Sequence, residues 1–191
     1  MLFRSHPSRG DLKIATAAIR EMRRAFATFA PYRSIRKVSI FGSARTTPDS
    51  SLYRQTVDLA ARIAEQGWMV ITGAGPGIMR AGVEGAGVAN SFGVSIRLPF
   101  ETSAPEFDVD RSRLIPFRYF FTRKLMFMKE SSGFVLLPGG FGTLDECFEL
   151  LTLLQTGKSL PAPVVLLDEP GGTYWSRWVD RKSTRLNSSH T

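Results

Sequence analysis

The chain has 191 residues, 43% of them hydrophobic, with a mean hydropathy of −0.06, the size and balance of one soluble globular domain able to bury a substantial core. No apolar run is long enough to span a bilayer, and the only histidines, His6 and His190, stand near the two ends while Cys147 is the single cysteine. A Ser-His-Asp triad, a His/Cys metal site and an internal disulfide therefore have no members, and the formal charge of +8 leaves a nucleic-acid reading to be weighed.

The leading residues, MLFRSHPSRGDLK, lack the apolar stretch of a signal peptide, so a cytoplasmic location is expected. Residues 11–30 place Ile14, Ala18, Met22, Ala25 and Phe29 on one helical stripe, which predicts an amphipathic helix closed by Pro31. Its arginines, Arg20, Arg23 and Arg24, read as a solvated face rather than a binding patch. This N-terminal segment, 1–36, precedes a βαβ rhythm that fills 37–179.

Lys37 to Gly42 (KVSIFG) reads as a strand ending in the Gly42-Ser43 turn, and 51–66 as a helix with Tyr53, Val57, Ala60 and Ala64 inward, stopped by Gly67. Trp68 to Thr72 is the next strand. A helix is expected from Pro76 to about Asn90, since proline suits a first helical turn. Phe92 to Leu98 gives a third strand, and 99–112 a polar loop bearing Glu101, Glu106, Asp108 and Asp110. Further strands are expected at 114–117, 133–137 and 163–168, with helices at 118–130 and 143–156. Strands separated by single helices predict an α/β fold, a Rossmann-like, doubly wound and mostly parallel sheet with helices on both faces.

Asp180 to His190 reads DRKSTRLNSSH and resembles, codon for codon, a translated sequencing adapter. Residues 180–191 are accordingly set outside the fold, and the natural chain is expected to continue past Val179. Without Asp180, Arg181, Lys182 and Arg185, one anion and three cations, the net charge falls from +8 to +6.

Two glycine clusters each follow a strand and open a helix. Gly73-Ala74-Gly75-Pro76-Gly77 lets backbone N–H groups approach an anion at a helix start, or serves only as a tight turn with close helix packing. As a dinucleotide fingerprint it is incomplete, because Ile78 holds the third glycine position and the cluster follows the second strand. The second cluster, Pro138-Gly139-Gly140-Phe141-Gly142-Thr143-Leu144-Asp145-Glu146, is more specific. Gly139, Gly140 and Gly142 form a ring of N–H donors beside a positive helix end, and Thr143 adds a hydroxyl, which together make a phosphate cradle. No Walker lysine accompanies it. Thr143-x-x-Glu146 also spells a capping box, in which Glu146 would only satisfy the helix start. Cys147 reads as core, and Tyr119-Phe120-Phe121 as core or subunit interface rather than a base-stacking platform.

Pro138 to Glu146 resembles the PGGxGTxxE signature of the Lonely Guy family, whose members often carry a lysine-decarboxylase label. Arg123-Lys124 in YFFTRKLMF matches its Arg-Lys pair, 23 residues before Glu146, and FGSAR (41–45) and TGAGPGIM (72–79) resemble further family segments. The longer form of the family, with LPGGFGTLDE and LTLLQT, is the nearer match. The resemblance implies hydrolysis of AMP or an N6-modified AMP to free base and ribose 5-phosphate, without metal or organic cofactor and in a homodimer or higher homo-oligomer. It implies Arg123 and Glu146 as catalytic, with Gly42, Ser43, Gly73, Gly75, Gly77, Lys124, Gly139, Gly140, Gly142 and Thr143 contacting substrate. For Glu146, stabilising charge on the ribose, orienting its hydroxyls and activating water remain open. A pyridoxal-phosphate decarboxylase would need a lysine framed as a Schiff base, and nothing frames Lys124 or Lys129 so. The same fold also resembles molybdenum-cofactor carrier proteins, which makes a non-catalytic carrier the alternative. A single-strand DNA-binding Rossmann module rests on charge alone. Partners are expected to be small nucleotides, with neither nucleic acid nor membrane.

Overall fold

The computed structural model describes residues 7–97 and 110–187, with side chains as far as Asp180. Most of the polar loop expected at 99–112 lies outside the described residues. Six strands run β1 (Lys37–Phe41), β2 (Met69–Thr72), β3 (Ser91–Ile96), β4 (Leu114–Phe117), β5 (Gly133–Leu136) and β6 (Val164–Leu166). They form one sheet in the order β4-β3-β2-β1-β5-β6, and every pairing is parallel. The helices are α1 (Arg9–Phe29), α2 (Ser51–Glu65), α3 (Ile78–Ala86), α4 (Phe120–Glu130), α5 (Phe141–Gln155) and α6 (Tyr174–Asn187).

Alternation along each strand builds two cores. Val38, Ile40, Val70, Val135 and Leu137 point to one face, where Ala60 and Ile63 of α2 and Ile78 and Ala86 of α3 cover them. Phe41, Met69, Ile71, Phe134 and Leu136 point to the other, against Ala25 and Phe29 of α1, Met126 and Phe127 of α4, Cys147 and Leu150 of α5, and Trp175 of α6. The expected doubly wound fold is what forms. Helix α1 shares the second core, and Arg20, Arg23 and Arg24 face solvent as expected. Among the described residues no helix is long and apolar enough to cross a membrane.

Several element ends depart from expectation, and those of three helices bear on the site or the tail. Helix α3 starts at Ile78 rather than Pro76, because Gly77 adopts φ 66° and ψ −128°, outside helical space. It stops at Ala86, where Gly87 turns to φ 77°, and a 3₁₀ turn (Val88–Asn90) completes the segment. Helix α5 starts at Phe141, two residues ahead of Thr143, with Gly140 as its N-cap. Helix α6 runs through Val179 without a break, to Asn187.

The chain builds outward from β1 through β2 and β3 to β4, then returns by way of α4 to lay β5 on the opposite side of β1. That reversal opens a crevice beyond the carboxyl ends of β1 and β5, where sheets of this kind take ligands. Gly73 directly follows β2 and Pro138-Gly139 closely follow β5, so both glycine clusters lie at this one edge.

Candidate active site

Three loops meet beyond the strand ends, and Ser43 stitches them. Its N–H donates to the Pro138 carbonyl (3.3 Å), its carbonyl accepts from Ile78 N–H (3.1 Å), and its hydroxyl accepts from Arg45 N–H (3.1 Å). The first glycine cluster serves this weave. Gly77 at φ 66° lies so close to the Ser43 and Ala44 backbone that a β-carbon would collide there. A β-carbon on Gly73 would lie 2.5 Å from Arg123 Nη2, so this glycine makes room for the arginine, while Gly42 and Gly75 make room for Ile78 and Met79. Between them Ala74 takes φ 54°, a left-handed conformation costing a non-glycine residue roughly 1–2 kcal/mol. Thr72 Oγ1 accepts its N–H at 3.2 Å. Packing thus occupies the three glycines of this cluster, and Gly42 beside them.

The second cluster differs. A β-carbon on Gly140 or Gly142 would meet open space, whereas one on Gly139 would collide with Thr143. Among the described residues nothing accepts from the N–H groups of Gly140, Phe141, Gly142 and Thr143, so the first turn of α5 presents free donors at its positive end. Tyr174, from α6, donates its hydroxyl to the Gly139 carbonyl at 3.0 Å. In a planar trans peptide the C=O and the next N–H point oppositely, so this bond aims the Gly140 N–H away from Tyr174. Nothing in the spacing of the sequence marks Tyr174, which lies 35 residues further on.

Arg123 and Lys124 sit in the first half of α4. Arg123 Nε donates to the Val94 carbonyl at 2.9 Å, and its guanidinium lies 5.2 Å over the Phe127 ring. Two contacts thus fix a group that stays cationic in proteins. Lys124 Nζ stands 2.7 Å from Asp145 Oδ2 and 2.6 Å from Glu149 Oε2. Burial alone would lower the Lys124 pKa, but those two bonds and the Glu146 charge raise it, the opposite of what a Schiff-base lysine needs.

Glu146 is 5% exposed and, among the described residues, its Oε2 has no hydrogen-bond partner. The capping box is not formed, since the helix is capped by Gly140 and no side chain bonds its first turn. Glu146 lies inside the helix, on its inward face. Burial is the largest influence on its carboxyl, and with Asp145 and Glu149 it outweighs the opposing pull of Lys124 and Arg123, pushing the pKa up to about 7. The Arg123 and Glu146 charges interact, yet no ion pair joins them among the described residues. Cys147 is fully buried core, as expected.

Comparison with known proteins gives the family to which this arrangement belongs. Residues 73–188 match the family described as possible lysine decarboxylase. The chain belongs to this family, the Lonely Guy family. Within it, a cytokinin riboside 5′-monophosphate phosphoribohydrolase of Mycobacterium tuberculosis is 29% identical over 135 residues, covering 70% of this chain and 71% of that protein. A probable cytokinin riboside 5′-monophosphate phosphoribohydrolase of Arabidopsis thaliana is 45% identical over a shorter stretch of 49 residues, 26% of this chain and 24% of that one. Among solved structures, the X-ray structure of TM1055, a structural genomics target, superposes with a TM-score of 0.52 at 23% identity, covering 70% of this chain and 74% of its own, and bears on the fold alone. At family level, then, the chain groups with phosphoribohydrolases of the Lonely Guy family.

Proposed function

We propose that this protein hydrolyses the N-glycosidic bond of a nucleoside 5′-monophosphate, AMP or an N6-modified AMP, in the cytoplasm. Water adds its oxygen to C1′, the C1′–N bond breaks, and the proton released from water balances the departing base, giving free base and ribose 5-phosphate. The observation that carries this reading is Glu146, buried, unpartnered at Oε2, excused from capping, and poised near neutrality.

The chemistry asks for such a group. Breaking the bond builds positive charge on the ribose ring, which an adjacent carboxylate offsets, and a pKa near the working pH suits a group that moves a proton. In this reading the free N–H groups from Gly140 to Thr143 hold the 5′-phosphate, and Gly139 contributes through its tether to Tyr174. Arg123, with its guanidinium fixed by Val94 and Phe127, offers a planar fork to the phosphate or ribose side. No ion pair joins Arg123 to Glu146 among the described residues, which in this reading leaves both for the ribose. Gly42, Ser43, Gly73, Gly75 and Gly77 form the wall that keeps these loops in place.

The test is to incubate the protein with AMP and follow adenine and ribose 5-phosphate by chromatography. Release of adenine is expected, and Glu146→Gln should reduce it by about 100-fold or more while AMP binding persists. Arg123→Lys should also lower turnover, because a point charge replaces the fork. AMP binding without adenine release in the wild type would make the protein a carrier, and near-native turnover in Glu146→Gln would remove Glu146 from the mechanism.

A further inference from the structure

Lys124 follows Arg123 on α4, and its ammonium is held by carboxylates of α5. Its side chain is 12% exposed and lies against Asp145 Oδ2 at 2.7 Å and Glu149 Oε2 at 2.6 Å. Asp145 and Glu149 stand four residues apart on α5, so they share one helical face. The pair immediately flanks Glu146, Asp145 as its chain neighbour and Glu149 nearly one turn on. One cation is thus anchored across the gap between α4 and α5 by two carboxylates, beside a third whose Oε2 has no partner among the described residues.

We propose that Lys124, held by Asp145 and Glu149, is an electrostatic clamp on Glu146: it fixes α5 against α4 and keeps one cation beside the reactive carboxylate, and it is not a phosphate ligand. The inference rests on the hydrolase reading for its kinetic consequence alone, because the clamp itself is a matter of charge and geometry. Two features make it more than a surface ion pair. The lysine side chain is nearly buried, although Asp145 and Glu149 face water at 61% and 37% exposure, and it meets two acceptors at once. Two of the three N–H donors of the ammonium are taken by these carboxylates, which leaves it little to offer a phosphate.

The charged groups facing Glu146 are Arg123 and Lys124 from α4, and Asp145 and Glu149 from its own helix. Each pushes in a known direction. Removing Lys124 takes away an attracting cation and leaves two repelling anions uncompensated, so Glu146 should hold its proton to higher pH. Removing the Asp145 charge takes away a repelling anion while Glu149 still holds Lys124, so Glu146 should release its proton at lower pH. A structural role alone would depress the rate at every pH and leave the profile where it was.

The experiment compares wild type, Lys124→Met, Lys124→Arg and Asp145→Asn, all as the full chain. Two readouts run in parallel: the acid limb of AMP turnover, and the Glu146 carboxyl titration by ¹³C NMR, which needs no activity. The titration and the limb should both move up by about one pH unit in Lys124→Met and down in Asp145→Asn. Lys124→Arg, which keeps the charge, should stay near wild type. A Glu146 titration that is unmoved or moves down in Lys124→Met overturns the clamp. Should that variant fail to fold, Asp145→Asn decides, since its side chain is 61% exposed and its loss is tolerable. An unmoved or upward titration there overturns the clamp too. If the titrations move as expected and the wild type releases no adenine, the clamp stands and the hydrolase reading falls.

Discussion

Burial raises the Glu146 carboxyl from an ordinary 4.5 to about 7, and the same shift bears on stability. Between those two values the folded chain keeps a proton that the unfolded chain has released, so folding loses free energy as pH rises from about 4.5 to about 7 and loses no more above it. Glutamine carries no such dependence. The stability of Glu146→Gln relative to wild type should therefore grow by roughly 3 kcal/mol between pH 4.5 and pH 8, whatever fixed cost the buried amide adds. Denaturant melts of both proteins at the two pH values measure this, and parallel pH dependences would show that Glu146 ionises as freely folded as unfolded. The sequence contains the Thr143-x-x-Glu146 spacing of a capping box, but spacing does not say where a helix begins. With Gly140 able to cap α5, the helix starts earlier and Glu146 falls inside it. Nor does spacing show that Lys124 meets Asp145 and Glu149, because that contact needs the relative placement of two helices with a strand between them.

At the level of elements, the most consequential contact comes from α1, outside the segment that matches the family. Helix α4 has no side-chain cap of its own at Tyr119. Glu21 of α1 braces this end instead, accepting from Arg118 N–H, one residue ahead of the N-cap, and from Thr122 Oγ1, each at 2.8 Å. The first turn so held leads directly into Arg123. Glu21→Ala should destabilise the protein by about 1–2 kcal/mol, since two hydrogen bonds to a carboxylate are lost, and should lower AMP turnover as Arg123 loses its fixed place. Thermal melts and adenine release measure the two effects, and turnover equal to wild type would uncouple α1 from the site. Local chemistry made β4 legible to the residue and most helix ends to within two, because glycine, proline and β-branched runs act within a few positions. Cross-chain supports such as Glu21 and Tyr174 leave no local trace, since each serves a partner 35 or more residues away.

The alternation of strands and helices indicated an α/β sheet covered on both faces, and the structure has that form. Strand order was not legible, because periodicity tells which residues face a core but not which strand neighbours which. The reversal between β1 and β5, which places the crevice, is a property of the whole chain. So is association, which the family resemblance leads one to expect. Phe121 and Leu125 stand one turn apart on the outer face of α4 and both are exposed, with Phe120 exposed beside them. A two-fold axis beside α4 would lay this stripe against its own copy, and a stable dimer needs about 800 Å² covered on each subunit. We propose a homodimer through this face. Light scattering at tens of micromolar should give twice the chain mass. Phe121→Asp with Leu125→Asp should give the single mass with little change in thermal stability, because charges at exposed positions disturb no core. A wild type that scatters as a monomer would remove the dimer. A dimer that survives both aspartates would move the interface off α4, with exposed Phe148 of α5 the next face to substitute.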